Sequence, residues 1–196
     1  MAEIRSTMDM VMERAARLAA EAEESSGDDT LENEGMRIAA AYLNGEGENL
    51  LKQLKSKAPE EQMTIRGGMA KTMLRNIVLP REEEISEQSL LSLNSLQELS
   101  GNSSDIATVC SELKQILEQY GQHRVQVKQQ FDESILNQLK AQLQQQGLSV
   151  DDEMALNPTM HPQYQEEWSR ASAELNSQYN DALDQRKEQI GQRFGI

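Results

Sequence analysis

The amino-acid sequence predicts an all-α fold, on three observations. Residues that lose little side-chain freedom in a helix, such as Ala, Leu, Met, Glu and Gln, are abundant. Apolar residues recur at helical spacing along much of the chain, and no strand-like alternation of useful length occurs. Residues 104 to 146 contain no proline, which predicts one helix of roughly 60 Å. We therefore expect short N-terminal helices followed by a long, coiled-coil-like antiparallel helical hairpin.

Residues 1–101 are predicted to form the N-terminal region of short helices. Ser6 would cap the first helix, which should end before a loop at Ser25–Asp29, and Thr30 would cap the second. Gly45 and Gly47 would then interrupt the second helix, and a short helix through Leu50, Leu51 and Leu54 would follow.

Two prolines bound the next predicted helix of this region. Pro59 suits the first turn of a helix, and Pro80 should stop that helix. A further helix would cover residues 81–99, opened by three glutamates at positions 82–84 near its positive end.

Residues 102–196 are predicted to form the hairpin. Its first helix would begin at Ser104 and end at Gly147, and an irregular connector to Pro162 would lead into the last helix. The apolar residues of its first half alternate steps of four and three, the rhythm of a coiled coil: Ile106, Cys110, Leu113, Leu117 and Tyr120. A long hairpin has a long apolar seam, so either the N-terminal helices or another chain should cover it.

Composition argues against several classes of protein. The net charge of −14 repels phosphate backbones, so we expect no nucleic-acid partner. Cys110 is the single cysteine, which does not indicate an oxidising compartment. No apolar run approaches the ~20 residues of a membrane helix, and the N-terminus lacks the pattern of a signal peptide. These observations predict a cytoplasmic protein with no membrane span.

Two stretches resemble a known group of proteins. The first is Glu3–Arg14, and the second runs from Leu143 to Leu183, through Gly147-Leu148-Ser149 and Asn157-Pro158 to a helix that carries Trp168. Both are similar to segments of an uncharacterised family of acidic, all-helical bacterial proteins. This chain departs from the family pattern at Val150 and in the Asn157-Pro158 order. The resemblance implies a bacterial cytoplasmic protein and carries no activity with it.

The sequence contains no recognisable catalytic or metal-binding motif. His123 and His161 lie in different predicted elements, without a Cys or His at ligand spacing, and no Glu-x-x-His occurs. Cys110 falls in an apolar stripe, where a cysteine is usually a small hydrophobic residue. We therefore expect a protein that is not an enzyme and that carries no metal or cofactor.

A basic amphipathic segment, from Arg66 to Arg81, is the first candidate for partner binding. It combines arginines with a methionine face, and its candidate residues are Met63, Arg66, Met69, Met73 and Arg75. Methionine faces adapt to varied partners, and basic helices bind acidic ones. The alternative, which we favour, is a core helix whose charges pair with nearby glutamates. Gly67 and Gly68 within it would let two helices approach closely, or would break the helix.

Aromatic residues of the last helix are the second candidate. Tyr164 and Trp168 share a stripe with Tyr179 in a chain that is only 4% aromatic. They would anchor a partner if exposed. Burial against the long helix is the better interpretation.

These candidates predict a non-enzymatic protein-interaction, scaffold or assembly protein that binds a protein partner or associates with itself. The alternative is a regulator of an enzyme, or a holdase-like binder that uses the methionine face.

Overall fold

The computed structural model describes residues 27–145 and 157–196, which contain helices and no strand. The all-α prediction is confirmed. The helices are α1 (27–43), α2 (Leu50–Lys55), α3 (Gln62–Asn76), α4 (Glu87–Leu99), α5 (Ser104–Gln145) and α6 (Tyr164–Phe194), with a 3-10 turn at Pro158–Met160. The predicted helix from Ser6, the resemblance at Glu3–Arg14 and most of the predicted connector after Gly147 lie outside the described residues.

Helices α5 and α6 pack against each other as an antiparallel hairpin. Near the start of α5, Asp105 forms an ion pair with Arg193 at the end of α6, at 2.9 Å. Toward the other end, the ring of Phe131 lies 5.1 Å from that of Tyr164, the first residue of α6. The two helices are 42 and 31 residues long, so the predicted long hairpin is present.

One hydrophobic core joins the N-terminal helices to the hairpin. Its members on α5 lie between Ile106 and Leu117, and its members on α6 lie between Leu183 and Phe194. The others come from α1 to α4 and the segment after α3: Ala39, Leu43, Leu50, Leu54, Ile65, Met69, Ala70, Met73, Ile77, Leu93, Leu96 and Leu99. Among the described residues, α1 to α4 therefore cover the seam at the end of the hairpin where α5 begins.

The structure thus has two parts, which we call the body and the arm. The body consists of residues 27–121 and 179–196. The arm consists of residues 122–145 and 157–178, where α5 and α6 continue without a member in the shared core. Gly121 marks the boundary, because a Cβ there would lie 2.1 Å from the backbone oxygen of Glu83. The segment before α4 therefore crosses α5 in close contact at this point.

Glycines let α1 and α3 approach at backbone distance. A Cβ on Gly68 would lie 2.1 Å from the backbone oxygen of Glu32, and a Cβ on Gly35 would lie 2.1 Å from that of Ile65. Each glycine thus receives the backbone of the facing helix. The close-approach interpretation is confirmed for Gly68, whereas a Cβ on Gly67 would meet the side chain of Ile196 at 3.0 Å.

Two predicted boundaries are wrong. Residues 27–29 are already helical, so the predicted loop does not include them and Thr30 is not a helix cap. Relative to alanine, a glycine or an aspartate destabilises a helix by only about 1 kcal/mol or less. The glycine and two aspartates at positions 27–29 are therefore weak evidence for a loop. Residues 81–86 are not helical, because α4 starts at Glu87 after Ser86, whose side chain accepts a hydrogen bond from the backbone N–H of Ser89.

Candidate functional site

The methionines of α3 do not form a surface. Met69 and Met73 are 0% exposed and belong to the core, whereas Met63 is 69% exposed. The docking interpretation of Met69 and Met73 is therefore wrong for this structure. The physical reason is that α3 lies between α1 and α4, so its apolar side packs inside the molecule.

The cations of α3 have separate environments. Lys71 forms an ion pair with Glu32 of α1, with 2.6 Å between Nζ and Oε1. Arg75 is exposed and directs Nη1 at the sulfur of Met36, 3.9 Å away. Arg66 places its guanidinium carbon 6.0 Å from the ring centroid of Phe194. Lys71 thus fits the core-helix interpretation, with its charge paired to a glutamate.

An aromatic cluster joins α5 to the start of α6 in the arm. Tyr164 is 4% exposed, and Trp168 is half-buried. Phe131 lies between them, with ring centroids 5.1 Å from Tyr164 and 5.5 Å from Trp168. Tyr164 is therefore not an exposed anchor, because its ring is buried against Phe131 between α5 and α6. Trp168 keeps an accessible side.

Polar groups complete this cluster. The Tyr164 hydroxyl donates to Oδ1 of Asp132 at 2.6 Å, and Lys128 donates to both Asp132 oxygens at 2.7 Å. The Lys128 ammonium lies 5.3 Å from the Trp168 ring centroid. Burial lowers the pKa of Lys128, but the hydrogen bonds and charges of Asp132 and Tyr164 outweigh burial and raise it. Lys128 is thus held charged against an aromatic face.

A groove of about 200 Å³ runs beside Trp168. Arg124, Val125, Lys128 and Gln129 of α5 form the rest of its lining. Arg124 also donates to the backbone oxygen of Arg81, which holds its side chain near the boundary of body and arm. Trp168 was predicted from the sequence as a candidate residue, whereas the α5 residues of the groove were not. Residues 124, 125, 128 and 129 share one face of α5, as their positions in the sequence show. That this face lies beside Trp168 follows only from the packing of α5 against α6.

A second polar contact joins the helices at the boundary of body and arm. The Tyr120 hydroxyl donates to Oδ1 of Asn176 at 2.6 Å, and the Tyr120 ring packs edge-on against Tyr179 at 5.3 Å. Burial raises the pKa of Tyr120, against the opposing effect of the Arg124 charge. The hydroxyl therefore stays protonated and able to donate. Such partly buried polar pairs fix the register of two helices.

The groups that could carry chemistry are not assembled into a reactive site in the described part of the chain. Cys110 is buried, and burial raises the pKa of its thiol to about 11, with a smaller opposing effect of Gln97. His123 lies beside the Tyr179 hydroxyl at 3.4 Å, and His161 lies near α6. No cluster of His, Cys, Asp or Glu suited to a metal occurs among residues 27–145 and 157–196. No described helix is both long and apolar enough to cross a bilayer.

The described residues thus form a helical body from which a two-helix arm continues. The chain belongs to the family of unknown function DUF6657, whose family model matches residues 51–192. The match extends from α2 nearly to the end of α6, so it includes parts of both body and arm. This agrees with the predicted membership in an uncharacterised family. Neither a curated protein nor a solved structure matches the chain.

Proposed function

We propose that this chain is a non-enzymatic protein-interaction module, a scaffold or assembly protein, that binds a protein partner through the arm. The observation that carries the proposal is the groove beside Trp168. It combines one half-buried aromatic ring with two cationic side chains, Arg124 and Lys128. Tryptophan and arginine are among the residues most enriched at the energetic centres of protein interfaces.

Charge indicates the chemistry of the partner. Residues 122–145 of α5 carry three cations (Arg124, Lys128 and Lys140) and two carboxylates (Asp132 and Glu133), whereas the chain as a whole has a net charge of −14. Residues 157–178 add Arg170 and three carboxylates, Glu166, Glu167 and Glu174, so the described arm has a net charge of −1 and is nearly neutral in a strongly acidic molecule. The partner we propose is a helical segment with one bulky apolar side chain, which enters the groove beside Trp168, and one carboxylate, which faces Arg124, since Lys128 is already paired with Asp132.

The competing use of α3 as a holdase surface has no support in the structure, since Met69 and Met73 are in the core. Self-association is disfavoured by the net charge, which makes two copies repel each other. The proposal includes a cytoplasmic location, no nucleic-acid partner and no catalytic activity. The proposed cytoplasmic location is supported by the single cysteine and by the resemblance to bacterial cytoplasmic proteins.

Site-specific photo-crosslinking in the host cell tests this proposal. Benzoylphenylalanine replaces Gln129, an exposed residue of the groove, and in a matched control it replaces Gln119, an exposed residue of α5 in the body. We expect one crosslinked protein from position 129 and none from position 119. Trp168→Ala should abolish the crosslink while the helical circular dichroism stays unchanged.

Three results would contradict the proposal. Equal crosslinking from both positions would show that the groove is not the binding surface. A product that contains only two copies of this chain would indicate self-assembly instead of a dedicated partner. A ladder of many unrelated proteins would indicate holdase-like binding.

A further inference from the structure

Exposed apolar side chains are concentrated at one end of the body. Met63 of α3 is 69% exposed, and Ile196, which follows α6, is 43% exposed. Both line a cavity of about 460 Å³ between α1, α3 and the end of α6, which we call the end groove. Among the described residues, Val78 is the one further large apolar side chain that is exposed, and it does not line this groove. Apolar side chains that stay in water beside polar groups are typical of an interaction surface.

Two of the charges that line the end groove are already paired. Glu32 pairs with Lys71 of α3, with 2.6 Å between Oε1 and Nζ. Arg193 pairs with Asp105 of α5, with 2.9 Å between Nη2 and Oδ2. A group that enters the groove would have to compete with these ion pairs to bind either Glu32 or Arg193.

The unpaired charges of the end groove favour a basic partner. Asp28 and Asp29 of α1 line the groove, are exposed and form no ion pair with any other described residue. The one remaining cation, Arg66, has its guanidinium carbon 6.0 Å from the ring centroid of Phe194, and its Nε is buried. The α1 side of the groove is therefore acidic, in a chain whose net charge of −14 attracts cationic partners from a distance.

We propose that the end groove binds a basic amphipathic helix of a partner protein. One apolar side chain of that helix packs against Met63 and Ile196, and lysines or arginines beside it face Asp28 and Asp29. A helix fits this place because three helices bound the groove, and the side-chain ridges of a further helix pack into such grooves. The end groove lies in the body, so this surface is independent of the groove beside Trp168.

Fluorescence anisotropy with a dye-labelled peptide and the whole chain tests the end groove. The peptide is a helix of leucine and lysine with its leucines on one face, and a second peptide carries glutamate in place of lysine. We expect saturable binding of one lysine peptide per chain and no saturation with the glutamate peptide. Asp28→Asn with Asp29→Asn should weaken binding about tenfold, since each exposed ion pair contributes a factor of roughly three. Glu83→Gln with Glu84→Gln is the matched control, because these adjacent exposed carboxylates of the body do not line the groove, and it should leave binding unchanged.

Methyl NMR of the chain with isotope-labelled methionine locates the bound peptide. The resonance of Met63, assigned by its loss in Met63→Ala, should shift as the lysine peptide saturates, whereas that of Met69 in the core should stay in place. Met63→Ala should also weaken binding, and Val78→Ala should not. Both variants change exposed side chains, so each should keep the wild-type circular dichroism.

Several results would overturn the proposal. Equal losses in the two carboxylate variants would show that general electrostatic attraction explains the binding. A Met63 resonance that stays in place at saturation would show that the peptide binds elsewhere. A Met63 resonance that shifts with chain concentration, without peptide, would assign the groove to a second copy. Benzoylphenylalanine at position 63 that crosslinks to residues 1–26 of the same chain would assign the groove to that segment.

Discussion

Replacing Gly68 with alanine should destabilise the body, although alanine is the better helix former. The new Cβ would lie 2.1 Å from the backbone oxygen of Glu32 and 2.9 Å from its carbonyl carbon. Backbone atoms cannot turn aside as a flexible side chain can, so α1 must move away from α3 by roughly 1 Å to restore van der Waals contact. That movement loosens the packing of Ala39 and Ile65 and lengthens the ion pair between Lys71 and Glu32.

The magnitude follows from two opposing effects. Alanine gains about 1 kcal/mol in a helix relative to glycine. Overpacking of a tight contact costs typically about 1–3 kcal/mol, and a backbone clash of this depth belongs at the upper end. We therefore expect a net loss of about 1–2 kcal/mol in the free energy of unfolding for Gly68→Ala.

Urea unfolding followed by circular dichroism at 222 nm measures this loss. Gly27→Ala is the matched control, because Gly27 is also helical but a Cβ added there would meet no atom within 4 Å. It should stabilise the protein by up to about 1 kcal/mol. Gly35→Ala combined with Gly68→Ala should cost less than the sum of the two, because one separation of the helices relieves both clashes. Gly68→Ala with wild-type stability or better would refute the close crossing of α1 and α3.

Two further predictions concern buried polar groups. Tyr164→Phe removes the hydroxyl that donates to Asp132, and it should lower the free energy of unfolding by about 1–2 kcal/mol in the same urea assay, whereas an unchanged value would show that this hydrogen bond does not hold the arm. The pKa of Cys110 is raised from 9.0 to about 11, so the unfolded chain loses this proton first and stability should fall as pH rises from 9 to 11, by up to about 2–3 kcal/mol. Cys110→Ser should remove this part of the pH dependence, and an identical alkaline profile in wild type and variant would contradict it.

Helical spacing and caps were sufficient to predict the hairpin. Ser104 was predicted as the N-cap and is the first residue of α5, so the predicted start is one residue late, and the stepped residues Ile106, Cys110 and Leu113 are all buried. These features are local, since a cap and an apolar stripe act within one helix. The body was predicted less well. The glutamates at 82–84 favoured a helix start at Arg81, but Ser86 caps α4 and the preceding residues cross α5 at Gly121.

The candidate sites show a similar limit. The sequence offered two interpretations of the α3 methionines, and only the neighbouring helices decide that Met69 is buried while Met63 is exposed. Trp168 was recognised because aromatic residues are scarce. Arg124 and Lys128 were not, since nothing in α5 alone shows which of its faces meets α6. Arg66 was singled out as one member of a basic segment, but the burial of its Nε without an acceptor among the described residues is a property of the tertiary structure.

The central claim is that the groove beside Trp168 binds a protein partner, and the single tryptophan of the chain reports on it directly. The measurement is fluorine NMR of the chain labelled with 5-fluorotryptophan, during titration with the unlabelled protein recovered by crosslinking from position 129. We predict that the one resonance shifts or broadens with saturation at one partner per chain, and that Arg124→Glu weakens this response at least tenfold. A resonance that stays unchanged while the partner demonstrably binds would place the interface elsewhere and contradict the account.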